Sequence, residues 1–169
     1  MSGLGFTHWG ALAAIAVGVS FCTIDYANAK VTASTSGLGN AGNITINSDS
    51  FSLQDGAQIT SVTFGQGNAG TIKVNATDFF TISDNNSNFT GGLFVESQST
   101  TGTAGDIIVT SPRVTLNNGG TLNAQSASGN GGDINLQTDL LLLRRGASIS
   151  TTAGTVLTGG NGGNISINT

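Results

Sequence analysis

The stretch Gly39–Asn47, GNAGNITIN, decides the fold because it comes back four more times along the chain. It returns as Gly67–Asn75 (GNAGTIKVN), Gly102–Thr110 (GTAGDIIVT), Gly129–Gln137 (GNGGDINLQ) and Gly160–Asn168 (GNGGNISIN). Each copy carries small-Gly-polar-Ile-x-aliphatic at its centre. With the glycine just before the polar residue and isoleucine as anchor, the copies align at Gly42, Gly70, Gly105, Gly132 and Gly163, with spacings of 28, 35, 27 and 31 residues. A period of about 20 to 50 residues marks an architecture of stacked units.

Every copy ends in alternation, as in Ile44/Ile46, Ile72/Val74, Ile107/Val109, Ile134/Leu136 and Ile165/Ile167. Successive side chains of a strand point to opposite faces, so this pattern predicts a strand with one buried face. The glycines ahead of it predict a turn. A second strand and a third follow in each unit. The first unit reads Phe51-Ser-Leu53, then Gln54-Asp55-Gly56, then Ala57-Gln-Ile59. The third has Val114-Thr-Leu116, Asn117-Asn118-Gly119 and Gly120-Thr-Leu122, and the fourth Leu141-Leu-Leu143, Arg144-Arg145-Gly146 and Ala147-Ser-Ile149. In the second unit a polar insert, Asn85–Thr90, separates Phe80-Thr-Ile82 from Leu93-Phe-Val95 and predicts a protruding loop.

Three short strands and three turns cannot bury a core alone. Wound into a coil, each strand pairs with its counterpart above and below, and the inward aliphatics form columns. The expected fold is all-β, a parallel β-helix of about four to five coils over residues 30–169 with an incomplete last coil. A right hand is expected by analogy with other large three-sided β-helices. Residues 1–29 are expected to form a hydrophobic, helical N-terminal segment.

Composition agrees with a stack. Only 8% of residues are charged and 26 are glycine. Like charges on adjacent strands repel, whereas Asn, Ser and Thr can form ladders. Disordered chains lack regular aliphatic columns. The net charge of −4 supplies no basic footprint for nucleic acid. Cys22 is the single cysteine, so the chain cannot form an internal disulfide.

Gly10–Cys22 is small or apolar throughout and is followed by Ala27-Asn-Ala29, an A-x-A pattern. This reads as a secretory signal cleaved after Ala29. Its n-region holds no Lys or Arg. An uncleaved membrane anchor, a lipoprotein site at Cys22 and an accidental start joined to a repeat fragment are the other readings of this segment.

The repeat phrases, together with Leu141–Gly163 (LLLRRGASISTTAGTVLTGGNGG), resemble the repeats of cyanobacterial filamentous-haemagglutinin-like exoproteins of the two-partner-secretion type. The resemblance spans about Gly37–Thr169, and the chain looks like a short or truncated relative. It implies a right-handed β-helix, export through an outer-membrane transporter, display at the cell surface and adhesion to a glycan or host-surface ligand.

Candidate chemistry is sparse. Asp106 and Asp133 occupy the same repeat position in successive coils and are the one candidate pair for a cation or a catalytic role. The same column holds Asn43, Thr71 and Asn164, which favours polar residues bonding to backbone. Arg144 and Arg145 read as solvated turn residues, Lys73 and Arg113 as single outward charges. Asn88-Phe-Thr90 matches a glycosylation acceptor in the insert. His8 is the only histidine and lies in the presumed signal, so a Ser-His-Asp triad is unavailable after processing. The sequence therefore points to a non-enzymatic extracellular module without cofactor, with end-to-end self-association expected from its open last coil. The alternatives are a polysaccharide-active β-helix enzyme and a gene remnant.

Overall fold

The computed structural model describes residues 5–7, 18–25, 29–84, 89–154 and 159–169. Within them every regular element is a strand. In chain order these are β1 (Gly5–Thr7), β2 (Gly18–Asp25), β3 (Lys30–Thr35), β4 (Ile44–Gln54), β5 (Gln58–Thr63), β6 (Ile72–Ser83) and β7 (Gly92–Ser97). They continue as β8 (Ile107–Thr110), β9 (Arg113–Asn117), β10 (Thr121–Ser126), β11 (Ile134–Gln137), β12 (Leu140–Leu143), β13 (Ser148–Ala153) and β14 (Ile165–Asn168).

All pairings are parallel and join counterparts of the repeat. The third strands form one sheet in the order β1-β3-β5-β7-β10-β13, and the first and second strands form another. The result is a parallel β-solenoid of about five turns. The first two strands of a unit run together as one long strand in β4 and β6. They separate into β8 and β9, and β11 and β12, in later coils. Pro112 stands at the break. It has no N–H to give a ladder, and its carbonyl accepts from the N–H groups of both Asp139 and Leu140, at 3.0 and 3.1 Å.

The predicted columns are present in register. Ile44, Ile72, Ile107, Ile134 and Ile165 are successive partners, as are Ile46, Val74, Val109, Leu136 and Ile167. Two further columns come from the second strands: Phe51, Phe80, Val114 and Leu141, then Leu53, Ile82, Leu116 and Leu143. Val31, Ile59, Leu93, Leu122 and Ile149 line the third side. Burying each such side chain fully contributes about 1.5–3 kcal/mol. The Phe51 and Phe80 rings stack with centroids 5.9 Å apart and planes 7° from parallel. The columns are dry up to the last coil, where Ile165 and Ile167 are each 44% exposed, because no described strand covers them.

The turns predicted between second and third strands have left-handed backbone at two successive residues: Asp55-Gly56, Asn118-Gly119 and Arg145-Gly146. Each closes with an i to i+3 bond, as when the Ala57 N–H donates to the Gln54 carbonyl at 3.0 Å. In the second unit Asp84 replaces this turn, and its Oδ2 accepts from the Gly91 N–H at 2.9 Å across the base of the insert. Residues 85–88 of that insert, Asn88 among them, lie outside the described residues.

The glycines before each first strand do more than turn the chain. A Cβ at Gly70, Gly105, Gly132 or Gly163 would lie less than 3.0 Å from the carbonyl of the corresponding glycine one coil before. The same holds along Gly39, Gly67, Gly102, Gly129 and Gly160. None of these has a positive φ. They are glycine because neighbouring coils touch there through backbone.

Among the described residues of the N-terminal segment the expected helix is not found. β1 pairs with β3, and β2 pairs with β4 from Gly18↔Asn47 to Asp25↔Gln54. Val19, Phe21, Thr23 and Ile24 suit a strand. An apolar run that reads as a helix in isolation can satisfy its backbone by laddering onto an adjacent parallel strand. The remainder of 1–28, including His8, lies outside the described residues.

Candidate functional site

Asp106 and Asp133 are stacked as expected, and the structure shows what their carboxylates do. Asp106 Oδ1 accepts the Asp133 backbone N–H at 2.9 Å, and Asp133 Oδ1 accepts the Asn164 N–H at 2.7 Å. Asn43 Oδ1 does the same for the Thr71 N–H at 2.7 Å. One column thus ties the first coil to the second, the third to the fourth and the fourth to the fifth through side chain and backbone. In a parallel column Asn40, Asn68 and Asn130 accept from the N–H groups of Asn68, Thr103 and Asn161. The two aspartates act as hydrogen-bonding ladder residues. Among the described residues no group of three or more His, Cys, Asp or Glu is placed to hold a metal ion.

The other sequence candidates are scattered. Arg144, Arg145 and Lys73 are exposed. The Arg145 guanidinium reaches Asn117 Oδ1 at 3.5 Å, a contact along the turn column. Ala29 is partly buried against the core, and its carbonyl accepts the Gln58 N–H at 2.8 Å. In the folded chain the Ala29–Lys30 bond is therefore built into the ladder, so any cut there would have to precede folding.

What the sequence reading missed lies at the corner between the first and second strands. Ile72 and Phe80 are one residue further apart than Ile44 and Phe51, Ile107 and Val114, or Ile134 and Leu141. The second coil takes up its extra residue as a bulge opposite Ser48/Ser50. Bulges of this kind re-aim side chains and occur often beside functional sites. This one puts Thr77 and Asp78 outside the ladder, beside an open groove of about 450 Å³ lined by Thr77, Asp78, Phe79, Pro112, Arg113, Asp139 and Leu140. A smaller hollow of about 200 Å³ adjoins it and shares Pro112 and Asp139. Phe79, Arg113 and Leu140 face outward at one level of successive coils, because Phe80, Val114 and Leu141 beside them face in. Asp78 and Asp139 flank that row, and both are exposed. The Ser50 hydroxyl lies 3.4 Å from Asp78 Oδ2. The sequence signal was the eight-residue step from Ile72 to Phe80 where every other unit takes seven.

Among the described residues no helix is long and apolar enough to cross a membrane. No family model matches the chain. No curated protein and no solved structure matches it either.

Proposed function

We propose that the chain is a non-catalytic β-helical module of an exported, cell-surface protein, an adhesin-type repeat segment that presents its outer faces to a glycan or host surface. The observation that carries this reading is the use made of Asp106 and Asp133. Both carboxylates are engaged by backbone N–H groups of the next coil, as Asn43 is at the equivalent position. The outer face carries further uncharged ladders, such as Asn75 Nδ2 donating to Asn47 Oδ1 at 2.7 Å. Such a surface suits a rod that stays in register and displays hydroxyls and amides. The repeat phrases and the Ala27-Asn-Ala29 pattern support export, with an outer-membrane two-partner-secretion transporter as the implied route. The test is localisation. The full chain with a C-terminal epitope tag, expressed in a cyanobacterium, should reach the outer membrane or the medium and be cut by protease added to intact cells. Retention of all tagged protein in the cytoplasm would overturn the reading.

The corner groove gives a second reading, a polysaccharide-active enzyme, because Asp78, Arg113 and Asp139 bring two carboxylates and a guanidinium to one outward face. The display reading is favoured. The two carboxylates belong to coils two steps apart, roughly 10 Å at the strand spacing. Both are exposed, and neither has the desolvated pocket that a catalytic acid requires. Purified protein incubated with neutral and acidic polysaccharides should release no reducing ends and no unsaturated products. Release abolished by Asp78→Asn or Asp139→Asn would establish the enzyme instead.

A further inference from the structure

We infer that the corner groove is a saccharide-binding site that takes uncharged sugar units. This deepens the display reading and rests on it, since it names the part of the rod that meets a glycan. Three successive coils contribute a phenyl ring, a guanidinium and an isobutyl group in one outward row, from Phe79, Arg113 and Leu140. The row repeats at the strand spacing of about 4.8 Å, comparable with the width of a pyranose ring. Sugar rings present C–H faces and hydroxyl edges. The apolar groups suit the faces, while the Arg113 fork and the carboxylates of Asp78 and Asp139 suit the hydroxyls as donor and acceptors. Ligand sites are commonly hollows of about 300–1,000 Å³, and the volume of this groove, about 450 Å³, falls in that range with polar and apolar side chains both lining it.

Charge selects among ligands. The chain has only 8% charged residues, and three of them converge here with a net charge of one negative. A uronate or sialylated glycan would meet two carboxylates for one guanidinium, and like charges brought together reject a partner. A divalent ion shared between the carboxylates is disfavoured as well, because they lie two coils apart with Arg113 at the level between them. The bulge in the second coil is the local device that carries Asp78 to the groove edge.

The experiment is a titration of the full chain with maltohexaose, cellohexaose, xylohexaose and trigalacturonate, followed by calorimetry and by amide chemical shifts. At least one neutral oligosaccharide should bind in the micromolar to millimolar range, shifting the amides of Thr77, Arg113 and Leu140. Arg113→Gln, an exposed change, and Phe79→Ala should each weaken that binding at least tenfold. Asn123→Ala on the opposite sheet should leave it unchanged, and melting should show all three variants folded. The wild-type shift map locates the site even if Phe79→Ala proves unstable. The inference fails if none of the neutral probes binds, if trigalacturonate binds more tightly, or if the shifts map elsewhere. Any of these would leave the export and display reading to be decided by localisation alone.

Discussion

A methyl group added at Gly132 would strike the carbonyl of Gly105 one coil away, whereas one added at Gly119 would meet nothing within 4 Å. The two glycines therefore have different reasons to be glycine. Gly119 has a φ of 83°, so its alanine variant should cost about 1 kcal/mol through backbone strain. Gly132→Ala has to push two coils apart and should cost about 1–3 kcal/mol or more. Thermal melting of the two variants checks the order, and a larger loss at Gly119 would count against backbone contact between the glycine columns. Ile107→Asp places an unpaired carboxylate in a fully buried column and should cost on the order of 4 kcal/mol or more. An unchanged melting temperature would contradict that placement. The glycine phrase was legible in the sequence as a repeat marker, but its cause was not. Turn chemistry is a local property that a sequence window carries. Contact between residues 27 to 35 positions apart appears only once the coils are stacked.

At the scale of elements, the strands were legible because alternation is a property of each strand itself. The third strands begin within a residue or two of where Ile59, Leu93, Leu122 and Ile149 imply. Fusion of first and second strands into β4 and β6 was not legible, since it depends on how sharply the Ser48–Ser50 corner bends, and only Pro112 announces the break in the third coil. Phe80→Ala should destabilise by about 3–5 kcal/mol, because it opens a cavity beside Phe51 in a fully buried column. Leu143→Ala, at a residue 47% exposed, should cost much less. Chemical denaturation of both variants measures the difference, and equal losses would contradict the burial gradient along the columns. At Gly18–Asp25 a strand stands where the apolar run reads as a helix, because apolar content fits both structures and only the neighbouring strand decides between them. This element also makes a prediction about processing. N-terminal sequencing of exported protein should begin at Lys30, and slowing export so that the chain folds first should block the cut, because Ala29 is then held by Gln58. An intact Met1 on exported protein would refute the signal reading.

For the whole molecule, the stack that gives the rod its register exposes apolar side chains along the described strands β12 and β14. Leu143, Ile165 and Ile167 are each 44% exposed or more, and β12, β13 and β14 each have one edge without a described partner. Such edges template further pairing. A polypeptide of this sequence should therefore associate end to end as its concentration rises, and light scattering on Lys30–Thr169 should show growth that Ile165→Lys with Ile167→Lys suppresses. A monodisperse wild-type monomer at millimolar concentration would contradict this. The central claim is that every unit sits one strand spacing above the last, in residue-for-residue register. Thr45, Lys73, Ile108, Asn135 and Ser166 form one outward column in that register. The most direct measurement is pulsed dipolar spectroscopy on spin labels placed at Thr45 and Asn135, and separately at Thr45 and Ser166, in a Cys22→Ser background. The distances should be narrow, centred near 14 Å and 19 Å and differing by about one strand spacing of 4.8 Å. Broad distributions, or a second distance no longer than the first, would contradict the stacked coil.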